Sequence, residues 1–293
     1  MFRLETPSPI LTQIERIRRN RVSGASQLAL ESLKTLRLAV ESFPAESLRE
    51  LLGGLKEVCL QVYRAKPSMA SLAHLAGKFL WRLKASIREE ATLEENRTVA
   101  LRILREMEKE FLGGLRKAAV EGSKLVCEGS LVATCSYSSM VAESLRLAKL
   151  RNVKFKVLVA ESRLGNLKHG SRLAEQLSKN GIESQVFPDH RLGRLVEKAS
   201  MVLLGADGIQ PDGTFVNGFP SLALVREAAK LDKPIYVVCD SSKTSPFLLE
   251  VKEGFDVIPL KLVRGVATER GILGLKEVEN LLEEAARYGE LLL

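Results

Sequence analysis

The feature that most constrains this chain is a change of rhythm near residue 122. Beyond it, short apolar runs alternate with amphipathic stretches of about ten residues or more. The runs at 130–135, 155–160, 184–187, 201–204, 235–239 and 265–268 predict strands. The stretches at 138–150, 168–180, 190–198, 219–231 and 275–288 predict helices between them. Connections of that length imply parallel pairing, because antiparallel neighbours need only a tight turn. Parallel strands hide both faces under their crossover helices, which makes the sheet doubly wound.

Before that point the pattern is helical from about residue 8 to 120, with apolar residues three and four apart. Leu48, Leu51, Leu52, Leu55, Val58, Cys59 and Val62 fall on one stripe. Leu101, Leu104, Met107, Phe111 and Leu115 form another, on a long helix predicted to end near Gly122. Pro44 and Pro67 are read as helix starts, since proline is tolerated in the first turn. The predicted architecture is therefore α/β, with an all-helical domain over 1–122 followed by a Rossmann-like α/β domain over 123–293.

Composition excludes several classes of function. No apolar run approaches the roughly 18 residues needed to span a bilayer, and the first ten residues lack the order of a secretory signal, which predicts a cytoplasmic chain without membrane contact. The four cysteines are scattered and there are three histidines, so no metal site or disulfide framework is expected. Neither a Gly-x-Gly-x-x-Gly nor a P-loop motif occurs, and no cofactor is expected. The net charge of +8 suggests nucleic acid, but Lys and Arg are interspersed with Glu along most of the chain. The one dense basic cluster, Arg16, Arg18, Arg19 and Arg21, is read as a solvated helix face.

Ligands of doubly wound sheets bind beyond the C-terminal strand ends. That rule selects 134–139, 161–163, Asp207 and 240–243. Thr134, Cys135, Ser136, Tyr137, Ser138 and Ser139 bring hydroxyls and free main-chain N–H groups to a helix start, where an anion can sit or where a serine simply caps the helix. Asp207 follows a buried strand through Gly205 and Ala206, the place for a general acid or base. Its alternative is an Asx turn, given the Pro211-Asp212-Gly213 that follows. Lys243 offers a point charge for phosphate.

These residues resemble the superfamily that contains the alpha, beta and delta subunits of translation initiation factor 2B, methylthioribose-1-phosphate isomerase and archaeal ribose-1,5-bisphosphate isomerase. The likeness spans nearly the whole chain. It rests on Ser23-Gly24-Ala25, the segment from Lys66 to Leu72, the loop 134–139, Glu161-Ser162-Arg163, Gly205-Ala206-Asp207, Asn217, Lys243, Phe255-Asp256-Val257 and the segment from Thr268 to Ile272. The resemblance implies ligand contacts at Gly24, Ala25, Lys66, Thr134, Ser138, Ser139, Arg163, Asn217 and Lys243. In the isomerases it implies proton transfer shared by the aspartate of Gly-Ala-Asp and the cysteine of Thr-His-Cys.

Asp207 matches that aspartate, but Cys135 stands at the histidine position and Ser136 at the cysteine position. On a strand, predicted here over 130–135, that one-residue shift sends the thiol to the opposite face, so Cys135 does not simply substitute. An alcohol in its place is un-ionised at neutral pH without a neighbouring base. Two arginine positions of the isomerases hold Ser23 and Lys66, and Gly218 follows Asn217 where they carry lysine. Each lost arginine contact to phosphate is worth about 1.5 to 3 kcal/mol.

Two functions follow from the resemblance. One is an initiation-factor-2B-like protein that binds an anionic or phosphorylated metabolite, forms homodimers or larger homo-oligomers and contacts initiation factor 2 subunits. The other is an aldose–ketose isomerase on a phosphorylated pentose such as ribose 1,5-bisphosphate, with Asp207 and either Ser136 or Cys135 transferring the proton. Nucleic-acid binding through the arginine cluster ranks last.

Overall fold

The computed structural model describes residues 6–20 and 24–293, so Arg21 and Ser23 lie outside the described residues. The chain forms two compact units. One comprises Met1–Leu112, Thr244–Glu250 and Leu282–Leu293; the other comprises Gly113–Lys243 and Val251–Leu281.

The first unit is helical, with α1 (Ser8–Arg19), α2 (Ala25–Ser42), α3 (Leu48–Ala65), α4 (Ala70–Ser86) and the beginning of α5 (Leu93–Lys124). Helix α1 buries Ile10, Ile14 and Ile17 at helical spacing. Its charged side pairs internally, with Glu15 bonded to both Arg18 and Arg19, as a solvated face would. On α3 the predicted stripe is buried at Leu51, Leu55, Val58, Cys59 and Val62, each burial worth about 1.5 to 3 kcal/mol.

The prolines do not start the helices. Ser47 caps α3 by accepting the Glu50 N–H, and Met69 precedes α4, leaving Pro44 and Pro67 in the connecting turns. Capping won because Ser47 satisfies an orphan donor, which proline cannot do. Helix α5 opens on a reciprocal box, in which Thr92 N donates to Glu95 at 2.7 Å and Glu95 N to Thr92 at 3.2 Å. It continues two residues past Gly122.

The second unit runs β1 (Leu131–Thr134), α6 (Ser139–Leu150), β2 (Lys156–Ala160), β3 (Arg163–Leu164), β4 (Leu167–Lys168), α7 (His169–Lys179), β5 (Ser184–Phe187), α8 (Leu192–Lys198) and β6 (Met201–Leu204). It continues through β7 (Gly208–Ile209), β8 (Thr214–Gly218), α9 (Ser221–Lys230), β9 (Ile235–Val238), β10 (Phe255–Pro259), β11 (Gly265–Thr268) and β12 (Gly271–Leu273), and leads into α10 (Leu275–Gly289). The seven-stranded sheet has the order β12-β11-β9-β6-β1-β2-β5. All its pairings are parallel except that of β11 with β12.

The six expected strands are all present. Val132, Val157, Val159, Leu203 and Val238 form a core on one face with Ala118 of α5, Leu145 of α6 and Leu173 of α7. Helix α8 packs on β1 and β2, and α9 on β6 and β9. Beyond the expected elements are a small antiparallel sheet, β10-β8-β7, and the hairpin β3-β4.

The order fixes where a ligand can enter. From β1 the chain builds β2 and β5 outward on one side, then returns to place β6, β9 and β11 on the other. The direction of winding therefore reverses between β1 and β6. In doubly wound sheets the loops diverge at such a reversal, and ligands bind in the crevice this leaves at the C-terminal strand ends.

Candidate functional site at the strand ends

On the β1 side of the crevice, the strand ends at Thr134. Cys135 and Ser136 both lie beyond it, so strand alternation does not govern them. Instead Ser136 takes a left-handed conformation, φ 60°, which is uncommon for a residue with a β-carbon. Both side chains then meet the segment that joins β8 to α9. Cys135 is buried, with Sγ 3.2 Å from Ser221 Oγ. The Ser136 hydroxyl lies against Gly218, where a β-carbon would overlap it. Burial pushes the Cys135 thiol up to about 12, against a lowering contribution from Ser221, and keeps it protonated at neutral pH.

The loop then enters α6. Ser138 is the cap, accepting the Val141 N–H at 3.3 Å, and Ser139 is exposed. Among the described residues, the N–H groups of Tyr137, Ser138, Ser139 and Met140 meet no acceptor. Thr134 Oγ1 is fully buried and likewise has no partner. Tyr137 is held from α7, with its hydroxyl 2.7 Å from Gln176 Oε1 and the Arg172 guanidinium 4.5 Å from its ring centre.

The β6 side is built differently. After Leu204, Gly205 has no room for a side chain, since a β-carbon would overlap Ser138 Oγ and lie 2.8 Å from Ser138 Cβ. The Asp207 N–H bonds to Val216 O at 2.8 Å as the chain enters β7. The Asx turn belongs to Asp212, whose carboxylate accepts both the N–H and hydroxyl of Thr214. Asp207 is free of that role, and no described residue donates a hydrogen bond to its carboxylate. Burial raises its pKa, while Lys243 opposes the shift.

Lys243 is buried beyond β9 and is not a spare cation. It also acts on Asp240, whose pKa burial raises and whose Oδ1 is buried without a partner. Asn217 Nδ2 donates to Ser221 Oγ at 2.8 Å, linking β8 to the start of α9.

At these strand ends Ser138 and Asn217 both lie against Gly205 and Ser136 lies against Gly218, while Asp207 and Lys243 interact by charge and Thr134 is buried beneath the loop. The Arg163 side chain does not join them, because its Nε turns back to Gly165 O at 3.2 Å within the β3-β4 hairpin. Gly24, Ala25 and Lys66 lie in the helical unit. Gly24 precedes α2, Ala25 begins it, and Lys66 Nζ donates to Asn20 O at 2.7 Å.

Sequence reasoning missed Ser221, the partner of Cys135, and Asp189, which accepts the N–H groups of Ser162 and Arg163 at 2.7 and 2.8 Å. Ser221 could have been suspected as a hydroxyl at a helix start. Asp189 carried a similar signal, standing just after a strand. Among the described residues there is no group of acidic, cysteine and histidine side chains able to hold a metal, and no helix long and apolar enough to cross a membrane.

Comparison with known proteins bears on this arrangement. The model of the initiation factor 2 subunit family matches residues 21–253. The chain belongs to that family. It is 32% identical to a translation initiation factor eIF-2B subunit 2-like protein of Pyrococcus horikoshii, covering 91% of this chain and 97% of the relative. It is 23% identical to ribose 1,5-bisphosphate isomerase of Thermococcus kodakarensis, covering 96% of this chain and 97% of that enzyme. The crystal structure of the tetrameric eIF2B-beta2-delta2 complex from C. thermophilum contains a chain with the same fold. The match has TM-score 0.82 and 18% identity, and covers 94% of each chain. The family thus includes both initiation-factor-like and sugar-phosphate isomerase relatives.

Proposed function

We propose that this family member binds a phosphorylated or otherwise anionic metabolite in its strand-end crevice and self-associates as an initiation-factor-2B-like protein, without aldose–ketose turnover. The observation that carries this reading is the chemistry on the two sides of Cys135-Ser136. Four successive free N–H groups, 137–140, offer an anion its hydrogen bonds without a side-chain cation. The thiol that would have to exchange a proton is neutral, buried and bonded to Ser221. Among the described residues, no base accepts a hydrogen bond from the Ser136 hydroxyl.

Assembly into a homodimer or larger homo-oligomer, and contact with initiation factor 2 subunits, follow the character of the relatives. Sedimentation of the purified chain tests the first: a monomer at all concentrations refutes it. Co-purification with initiation factor 2 subunits at low and physiological salt tests the second: no association in either removes the translational role. Titration with inorganic phosphate and ribose 1,5-bisphosphate tests the ligand. Saturable binding without interconversion is the expected result.

One observation favours the isomerase alternative. Asp207 is a carboxylate of raised pKa with no hydrogen-bond donor, beside the crevice, as a general base requires. Conversion of ribose 1,5-bisphosphate that disappears in Asp207→Asn establishes that reading and overturns the first.

A further inference from the structure

Three neighbouring strands of the parallel sheet, β1, β2 and β5, end beside one another, and the residues just beyond them are joined in series. Asp189, after β5, accepts the Ser162 N–H on Oδ1 at 2.7 Å and the Arg163 N–H on Oδ2 at 2.8 Å. Ser162, after β2, is buried and left-handed, φ 54°. Its hydroxyl donates to Ala160 O at 3.1 Å and accepts the Ser136 N–H at 2.6 Å. Ser136, after β1, is the second left-handed residue of the series and lies at the crevice.

Neither serine adopts this conformation by preference. Glycine or asparagine is the usual occupant, and such strain persists only where the surroundings over-determine it. Here each left-handed residue is tied at its own N–H, Ser162 by Asp189 and Ser136 by Ser162. The backbone directly after Ser136 carries the free N–H groups of 137–140, so the conformation of Ser136 sets where those donors point.

We propose that Asp189 and Ser162 are positioning residues that hold Ser136 left-handed and thereby aim the N–H groups of 137–140 into the crevice, although Asp189 is two strands away from it. The inference deepens the proposed anion site and rests on that reading for its functional consequence. The geometric part stands apart from it: the Ser136 amide is protected from solvent exchange by Ser162 and, through Ser162, by Asp189.

The test compares the full-length protein with Ser162→Ala and Asp189→Ala, measuring residue-resolved amide hydrogen exchange and titrating with inorganic phosphate. Val157 N, which bonds to Glu183 O at 3.0 Å in the same sheet, serves as the reference amide. In both variants Ser136 is expected to exchange at least about ten times faster while Val157 is unchanged, because Ser162→Ala removes the acceptor of the Ser136 N–H, Asp189→Ala releases Ser162, and the sheet remains. Phosphate affinity is expected to fall about tenfold. Unchanged exchange at Ser136, or acceleration shared equally by Val157, overturns the relay. So does phosphate binding at wild-type affinity in a variant whose Ser136 amide has been released. If the wild-type protein binds neither phosphate nor ribose 1,5-bisphosphate, yet Ser136 alone is released in the variants, the geometric relay stands and the anion-site reading falls.

Discussion

The two sides of the crevice solve the same structural problem with different chemistry. On the β1 side, loops are held by neutral groups and one carboxylate that accepts only main-chain N–H bonds, through Ser136, Ser162, Tyr137 and Asp189. On the β6 side, Asp207, Asp240 and Lys243 interact by charge in poorly solvated surroundings, and neither aspartate is fully hydrogen-bonded. Hydrogen bonds fix direction, so the first side sets geometry. Charges act over distance and titrate, so the second side sets how the crevice responds to pH and to an arriving anion.

Breaking the charged side should have the largest effect. Lys243→Met removes the buried cation whose charge opposes the desolvation of buried Asp240 and half-buried Asp207, which should cost about 3 kcal/mol at neutral pH. Urea unfolding checks this, and the deficit should shrink in acid as the carboxylates take up protons. A deficit independent of pH would mean that Lys243 contributes packing alone.

The seam between the sides comes next. Gly205→Ala drives a β-carbon into Ser138, which must surrender its cap on α6 or shift the loop. A lost cap of about 1 kcal/mol plus overpacking of about 1 kcal/mol or more gives roughly 2 kcal/mol. The same variant should weaken phosphate binding, because the N–H groups at the start of α6 move with Ser138. On the neutral side, Tyr137→Phe removes a single hydrogen bond to Gln176 while keeping the ring under Arg172. The expected cost is about 1 kcal/mol by the same urea measurement, with no dependence on pH between neutral and mildly acidic solution.

This contrast also explains what the sequence discloses. The inner strands are legible because both faces of a parallel sheet are buried, which leaves unbroken apolar runs such as Val202-Leu203-Leu204 and Val237-Val238, while the edge strand β5, with Gln185 and Val186 exposed, is legible only from its place between helices. The antiparallel β7, β8 and β10 are not. They are two to five residues long, and β10 exposes Phe255 and Val257 where alternation would favour polar residues. At the site, Asp207 can be found because a buried strand points to it. The neutral side cannot be found so easily, because Ser136, Ser162 and Asp189 are 26 and 27 residues apart and meet only once parallel strands are side by side. Nor does serine announce a left-handed turn as glycine would.

Asp207→Asn makes the smallest structural change and separates the two sides most cleanly. Burial raises the folded-state pKa of Asp207 above its ordinary 3.8. Between the unfolded and folded values the native state therefore binds more protons than the unfolded chain. Stability must fall as pH rises through that window, and the penalty is complete above the folded pKa and absent below the unfolded one. Asparagine keeps the shape and cannot ionise, so the variant should lose this component of the pH slope and gain relative to wild type toward neutral pH. Asp240 also has a raised pKa, so part of the slope should persist in Asp207→Asn and vanish further in the double variant with Asp240→Asn. Tyr137→Phe should leave the slope untouched. An unchanged slope in Asp207→Asn would place the titrating charge elsewhere and remove the electrostatic distinction between the two sides of the crevice.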